Sequence, residues 1–125
     1  MRDYPYFPSV PQDYRANMTW RLKVLERARS ERVLQEQLRE MCRQDFLFFI
    51  SGFSYLYEPR PRRGPGGVPL PTIIPFIPWS HQIPAIKLID EAIGFEDIAM
   101  EKSLGEGASW IAITTAIHRW NFFDN

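Results

Sequence analysis

The sequence predicts an α/β fold that is mostly helical, with about two short strands. Three observations lead there. Gln12 to about Arg43 is free of Pro and Gly and dominated by helix formers. Two later stretches, 83–93 and 108–122, repeat apolar residues at helical spacing, with Gly94 just past the first and Gly107 just before the second. Between them lies a short apolar run, so the order there is helix, strand, glycine loop, helix.

In chain order, residues 1–11 are rich in Pro and aromatics and are expected to be extended or loosely packed. Residues 12–58 form a helical N-terminal subdomain. On its long helix Trp20, Val24, Ala28, Leu34, Leu38, Met41 and Cys42 share one face, and Tyr14, Met18, Leu22 and Leu25 fill the opposite face of the first half. Its charged "ERARSERVLQEQLRE" stretch reads as a solvated surface. Asp45 is placed to N-cap a short helix through "FLFFI", which Gly52 ends, and "FSYLYEP" alternates as a short strand. Residues 59–78 form a Pro-rich loop with seven of the eleven prolines, a loop or extended edge because Pro lacks a backbone donor. Its Arg60, Arg62 and Arg63 are either solvated or contacts for phosphate or acidic residues. Residues 79–125 then supply the helix at 83–93 with Pro84 in its first turn, and a buried strand in "FEDIAMEK" around Ile98, Ala99 and Met100. The glycine loop follows, and then a helix whose Ile113, Ala116, Ile117 and Trp120 face the core.

Size and charge narrow the function classes. At 125 residues the chain has room for one modest domain, and 15 basic side chains balance 15 acidic ones, so no bulk field points to nucleic acid or membrane. Residues 1–43 nevertheless carry a net +3 and residues 71–125 a net −4. The single Cys42 excludes an internal disulfide and a cysteine-based zinc cluster, in keeping with a reducing cytosol. The start "MRDYPYFPSVP" has no apolar core of a secretory signal, and "FLFFISGFSYLY" is too short to span a bilayer.

The chemistry-bearing stretch is "MEKSLGEGASWI", residues 100–111. Glycines let backbone N–H groups approach an anion, and the following helix adds partial positive charge. A hydroxyl in the first turn can ligate Mg²⁺, and a lysine ammonium can neutralise β and γ phosphate oxygens. The usual frame is G-x-x-x-x-G-K-S/T. Here the same frame reads Lys102-x-x-x-x-Gly107-Ala108-Ser109, so the charge is kept but launched from the strand end of the loop. The competing reading is a plain glycine turn at a helix start, which Glu106 favours. Upstream, "PFIPWSHQ" can present the Gln82 amide to adenine, with Trp79 or His81 stacking on the base. Alternatively, Gln82 is an ordinary polar residue at a helix N-terminus, Trp79 is core and His81 belongs to a loop.

From about Tyr14 to its last residue the chain resembles the N-terminal part of the large terminase subunit of tailed bacteriophages. The residues that carry the resemblance are "CRQDFLFFI", "YEPR", "PFIPWSHQ" and "MEKSLGEGASWIAITTAIHRW". Members often have a Lys-Ser-Arg-x-x-Gly-x-Ser-Trp pattern, matched here by Lys102, Ser103, Gly107, Ser109 and Trp110. The resemblance implies a truncated N-terminal part of a P-loop NTPase domain, whose complete sheet would be largely parallel and flanked by helices. It also implies ATP and Mg²⁺ as ligands, with Gln82, Lys102, Ser103, Gly105, Gly107, Ala108 and Ser109 around the nucleotide and Ser109 meeting the metal. Double-stranded viral DNA, the small terminase subunit and the portal protein are the implied partners, and the host cytoplasm the implied location.

The chain departs from that pattern in two ways. Leu104 stands where the family has an arginine suited to stabilising charge on the transferring phosphoryl group. No acidic Asp-Glu strand and no nuclease follow Trp120, so a truncated, inactive motor subunit is expected, of poor stability alone, with exposed apolar surface around Phe95–Met100. Two other readings stay open: a fragment of a nucleic-acid helicase-type ATPase, or a small non-enzymatic helical interaction protein that docks through its N-terminal helix.

Overall fold

The computed structural model describes residues 2–92 and 108–122. Among these the chain is mostly helical with one two-stranded antiparallel sheet. Helix α1 spans Tyr14–Ala28, α2 Arg32–Gln44 and α3 Phe46–Phe53. Strands β1 (Tyr55–Tyr57) and β2 (Ile73–Pro75) follow, then α4 (Ile83–Ala92) and α5 (Ala108–Phe122). The expected strand at 98–100, the apolar surface at 95–100 and the loop residues 102–107 lie outside the described residues.

The long helix expected over 12–43 is two helices. α1 starts on Asp13, whose carboxylate accepts from the Ala16 N–H, and gives way after Ala28. Glu31 is extended (φ −119°, ψ 98°), and the Gln35 side chain crosses the break to donate to the Ala28 carbonyl at 2.6 Å. No Pro or Gly marks this break. It lets both helices contact α3, and the Ala28 carbonyl accepts from the Gln35 side chain and, at 3.3 Å, from the Glu31 N–H.

The predicted inward stripe from Trp20 to Cys42 is buried or half-buried. The opposite face is not covered as expected: Tyr14, Leu22 and Leu25 are exposed. What α1 buries besides Ala28 is polar, Asn17 and Arg21.

Helix α3 occupies the centre. Asp45 ends α2 and caps α3, accepting from the Phe48 N–H at 2.9 Å. Being apolar all round, α3 is buried all round, as a core helix should be. Phe46, Leu47 and Ile50 join Phe76 and Ile86 in one apolar cluster, while Phe48 joins Val10 and Cys42 in another. Gly52 does not end the helix, which runs on to Phe53. A Cβ at Gly52 would lie 2.8 Å from Trp20 Cζ3, so the glycine is there to admit the indole. Trp20, Phe48 and Phe53 then meet with ring centroids 5.3–5.9 Å apart.

β1 forms as expected, but its partner comes from inside the Pro-rich segment: Tyr55 pairs with Pro75, Leu56 with Ile74 and Tyr57 with Ile73. Pro75 sits at the end of a three-residue strand in a sheet with no third member among the described residues, so the missing donor interrupts no central ladder. The pairing is antiparallel, whereas the resemblance implied a largely parallel sheet. Residues 1–11 are held more firmly than expected. Asp45 Oδ2 accepts from the Tyr6 and Phe7 N–H groups at 2.8 and 2.9 Å, residues Phe7–Ser9 make one 3-10 turn, and Val10 is buried.

Candidate functional site

Of the residues singled out from the sequence, Gln82 lies at the start of α4, and Ala108 and Ser109 open α5. Gln82 immediately precedes α4, in a turn closed by its own backbone N–H, which donates to the Trp79 carbonyl at 2.9 Å. The Trp79 N–H in turn donates to Gln82 Oε1 at 2.9 Å, fixing the amide orientation. Gln82 is buried, whereas Trp79 is 57% exposed, which removes the core reading for that indole. The Trp79 and His81 rings lie 5.3 Å apart at 40°, an open aromatic surface beside the held amide.

α5 begins at Ala108, directly after Gly107, so Ser109 falls in its first turn. First-turn N–H groups have no intrahelical partner and carry the positive end of the helix dipole. Lys102, Ser103, Gly105 and Gly107 lie outside the described residues. Among the described residues no group of three or more His, Cys, Asp or Glu side chains is arranged to hold a metal, and no helix is long and apolar enough to cross a membrane.

The body of α5 differs from the predicted arrangement. Ile113, Ile117 and Trp120, read as core, are 49%, 43% and 81% exposed, and Ala116 is exposed too. The buried side is Thr114, Thr115 and His118. Apolar periodicity picked the outward face because the inward one is polar and partnered. His118 Nε2 lies 2.7 Å from the Cys42 carbonyl oxygen, which can only accept, so that nitrogen carries the proton and donates. The ring sits among Phe46, Phe49 and Phe122 at centroid distances of 4.9–5.3 Å. Burial lowers its pKa and keeps the imidazole neutral. Burial likewise pushes the Cys42 thiol up to about 12, which keeps it a thiol rather than a nucleophile.

Sequence reasoning missed Asp90. It is 1% exposed and lies on α4. Arg119 of α5 donates through Nη2 to both the Asp90 carboxylate (Oδ1, 2.8 Å) and its backbone carbonyl (2.7 Å). The Tyr4 hydroxyl donates to Oδ2 at 2.8 Å, and Arg2 pairs at 3.8 Å. Burial, followed by the bond to Asp90, raises the Tyr4 pKa and keeps its phenol protonated. A buried aspartate needs such partners, but nothing in the local sequence named them, since Arg119 lies 29 residues away.

The Arg60–Arg63 stretch is committed largely to its own hairpin. Arg60 pairs with Glu58 at 2.7 Å, Arg62 donates to the Pro71 carbonyl and Arg63 to that of Gly67. Arg60 holds the Glu58 carboxyl down to about 2.

No protein family, curated protein or solved structure matches this chain.

Proposed function

We propose that this chain is the ATP-binding N-terminal part of a phage terminase large subunit, the motor that drives viral DNA into procapsids. The observation that carries the reading is the helix start at Ala108, immediately after Gly107 within a Lys-Ser-x-x-x-Gly-x-Ser-Trp run, with Ser109 in the first turn. Exposed Trp79 and His81, 5.3 Å apart, add support as a face for stacking a base, whereas the Gln82 amide beside them is buried with its oxygen accepting from the Trp79 N–H.

In this reading Lys102 contacts the β and γ phosphates, and Gly105 and Gly107 allow close backbone approach. Ser103 and Ala108 complete the loop, Ser109 meets Mg²⁺ and Gln82 reads adenine. The loop lacks the family arginine at Leu104, so binding without hydrolysis is expected of this chain. DNA, the small terminase subunit and the portal protein are partners of the whole motor.

Calorimetric titration of the full chain with Mg-ATP tests the reading. Lys102→Met should weaken binding at least tenfold, on the order of 1.4 kcal/mol, and Ser109→Ala should remove the dependence on Mg²⁺. No heat with the unaltered chain, or unchanged affinity in Lys102→Met, would overturn it.

A second reading, a helical interaction protein, is favoured by the exposed Tyr14, Leu22 and Leu25 on α1. It expects Lys102→Ala to be silent and changes on α1 to abolish partner binding.

A further inference from the structure

The two-stranded sheet has one blunted edge and one open edge. The Phe76 N–H donates to the Ser54 carbonyl and the Glu58 N–H to that of Thr72. In the observed register the bonded pairs are therefore Ser54 with Phe76, Leu56 with Ile74 and Glu58 with Thr72. The backbone groups of the alternate residues point away from the partner strand. On the β2 side these residues are Pro71, Ile73 and Pro75. Both prolines lack an N–H, and the Pro71 carbonyl already accepts from Arg62. On the β1 side they are Tyr55 and Tyr57, whose N–H and carbonyl groups have no hydrogen-bond partner among the described residues. Among the described elements only β2 has more than marginal contact with β1, and the two tyrosines are 45% and 56% exposed.

We infer that the open edge of β1 is a self-association surface whose occupant is β1 of a second copy of this chain. An antiparallel pair centred on Leu56 sets Tyr55 of each copy opposite Tyr57 of the other. Each such pair exchanges two N–H to carbonyl bonds, so every outward donor meets an outward acceptor and none is left over. No other antiparallel register of β1 on itself uses them all. The contact closes on a two-fold axis and makes one sheet of four strands in the order β2, β1, β1, β2. Its outer edges are the ones that proline blunts, so growth stops at the dimer. The pairing strand carries no charge, and Glu58 at its end is already paired with Arg60 at 2.7 Å, so like charges are not set face to face. Tyrosines opposite tyrosines also pack across the strands, beside the exposed Ile73. The contact is short, at the low end of specific interfaces, and a dissociation constant on the order of 10–100 µM is expected. The inference does not depend on the nucleotide reading.

The test is sedimentation equilibrium of the full chain, run from about tenfold below to about tenfold above that constant, with amide exchange measured at both ends of the range. The mass should rise from 14.7 kDa towards twice that value, and the Tyr55 and Tyr57 amides should gain protection as it does. Tyr57→Pro removes one outward N–H per copy and leaves the β1–β2 ladder intact, so it should weaken the dimer at least tenfold while the chain stays folded. Two double variants decide the matter should proline unfold the hairpin. Tyr55→Glu with Tyr57→Lys sets opposite charges across both pairs and should remain dimeric, whereas Tyr55→Glu with Tyr57→Glu sets like charges across both and should be monomeric. A mass of 14.7 kDa throughout overturns the inference. So does a dimer that the like-charge variant leaves intact, which would lie on another surface, such as the outward side of α5. Tyrosine amides already protected in the monomer would mean that another stretch of the same chain covers the edge, and would overturn it too.

Discussion

Replacing Arg21 by Met asks whether a buried guanidinium without a carboxylate partner holds the helical half together. Arg21 is 1% exposed. Its Nε donates to Asn17 Oδ1 at 2.7 Å, Nη1 to the Ser54 carbonyl at 2.7 Å and Nη2 to the Ser51 carbonyl at 2.8 Å, with a longer reach of 3.4 Å to the Phe76 carbonyl. The Tyr55 ring lies 4.8 Å from its centre, and the carbonyls at the end of α3 supply the negative pole of that helix. Ser51 O keeps the Asn17 Nδ2 donor and Ser54 O keeps the Phe76 N–H, so these two acceptors lose one bond each, about 1 kcal/mol apiece. Asn17 Oδ1 loses the one partner identified for it while buried, roughly 1–3 kcal/mol. Met returns about 1 kcal/mol by removing the desolvated charge and adding apolar contact. The net expectation is about 3 kcal/mol of destabilisation, a large part of the stability of a small domain. Urea unfolding should show the midpoint falling by roughly 1.5 M for a slope near 2 kcal/mol/M, with the slope unchanged. A loss under about 1 kcal/mol, or a gain, would refute the reasoning by showing that desolvating the guanidinium outweighs its bonds.

Two further predictions concern the centre of the fold. Gly52→Ala should cost about 1–2 kcal/mol, since a new Cβ 2.8 Å from a rigid indole exceeds the roughly 1 kcal/mol gained in helix propensity. In a Trp20→Leu background the same change should become neutral or stabilising, and an undiminished cost there would mean that the clash is not with Trp20. His118 has a folded-state pKa below its unfolded value of about 6.5, so the unfolded chain takes up the proton first. Its contribution is therefore complete above pH about 6.5 and is lost as pH falls towards the lower folded value. The stability gap between wild type and His118→Gln should narrow over that window in denaturant titrations, and a gap independent of pH would remove His118 from the acid limb.

The features legible in the sequence are those written in neighbouring residues. Asp45 before "FLFFI", the alternation of "YLY", the Gly107 boundary of α5 and the first-turn Pro84 of α4 all work within a few residues, and each matches an observed element or boundary. The break at 29–31 was not legible, because its cause is the need of α1 and α2 to share α3, and Ser30 alone is no breaker. Nor was the polar underside of α5. Thr114, Thr115 and His118 are buried, while Trp120, the most apolar-looking candidate, is exposed. Nor did the sequence single out Asn17 and Arg21, whose partners include the Ser51 and Ser54 carbonyls some thirty residues on. β2 was hidden by prolines that a three-residue strand in a hairpin tolerates. The Asp90–Arg119 link between α4 and α5 was not legible either, since its partners lie 29 residues apart.

The eight residues of α3 furnish walls to both apolar clusters, and that has a practical meaning. With a single wedge shared by two apolar clusters, neither half retains an interior once the wedge leaves. Optical probes reporting on Trp20 and on α5 should then trace one superimposable melting curve. Any attempt to trim the molecule at the Pro-rich hairpin would produce two unfolded pieces rather than two miniature domains.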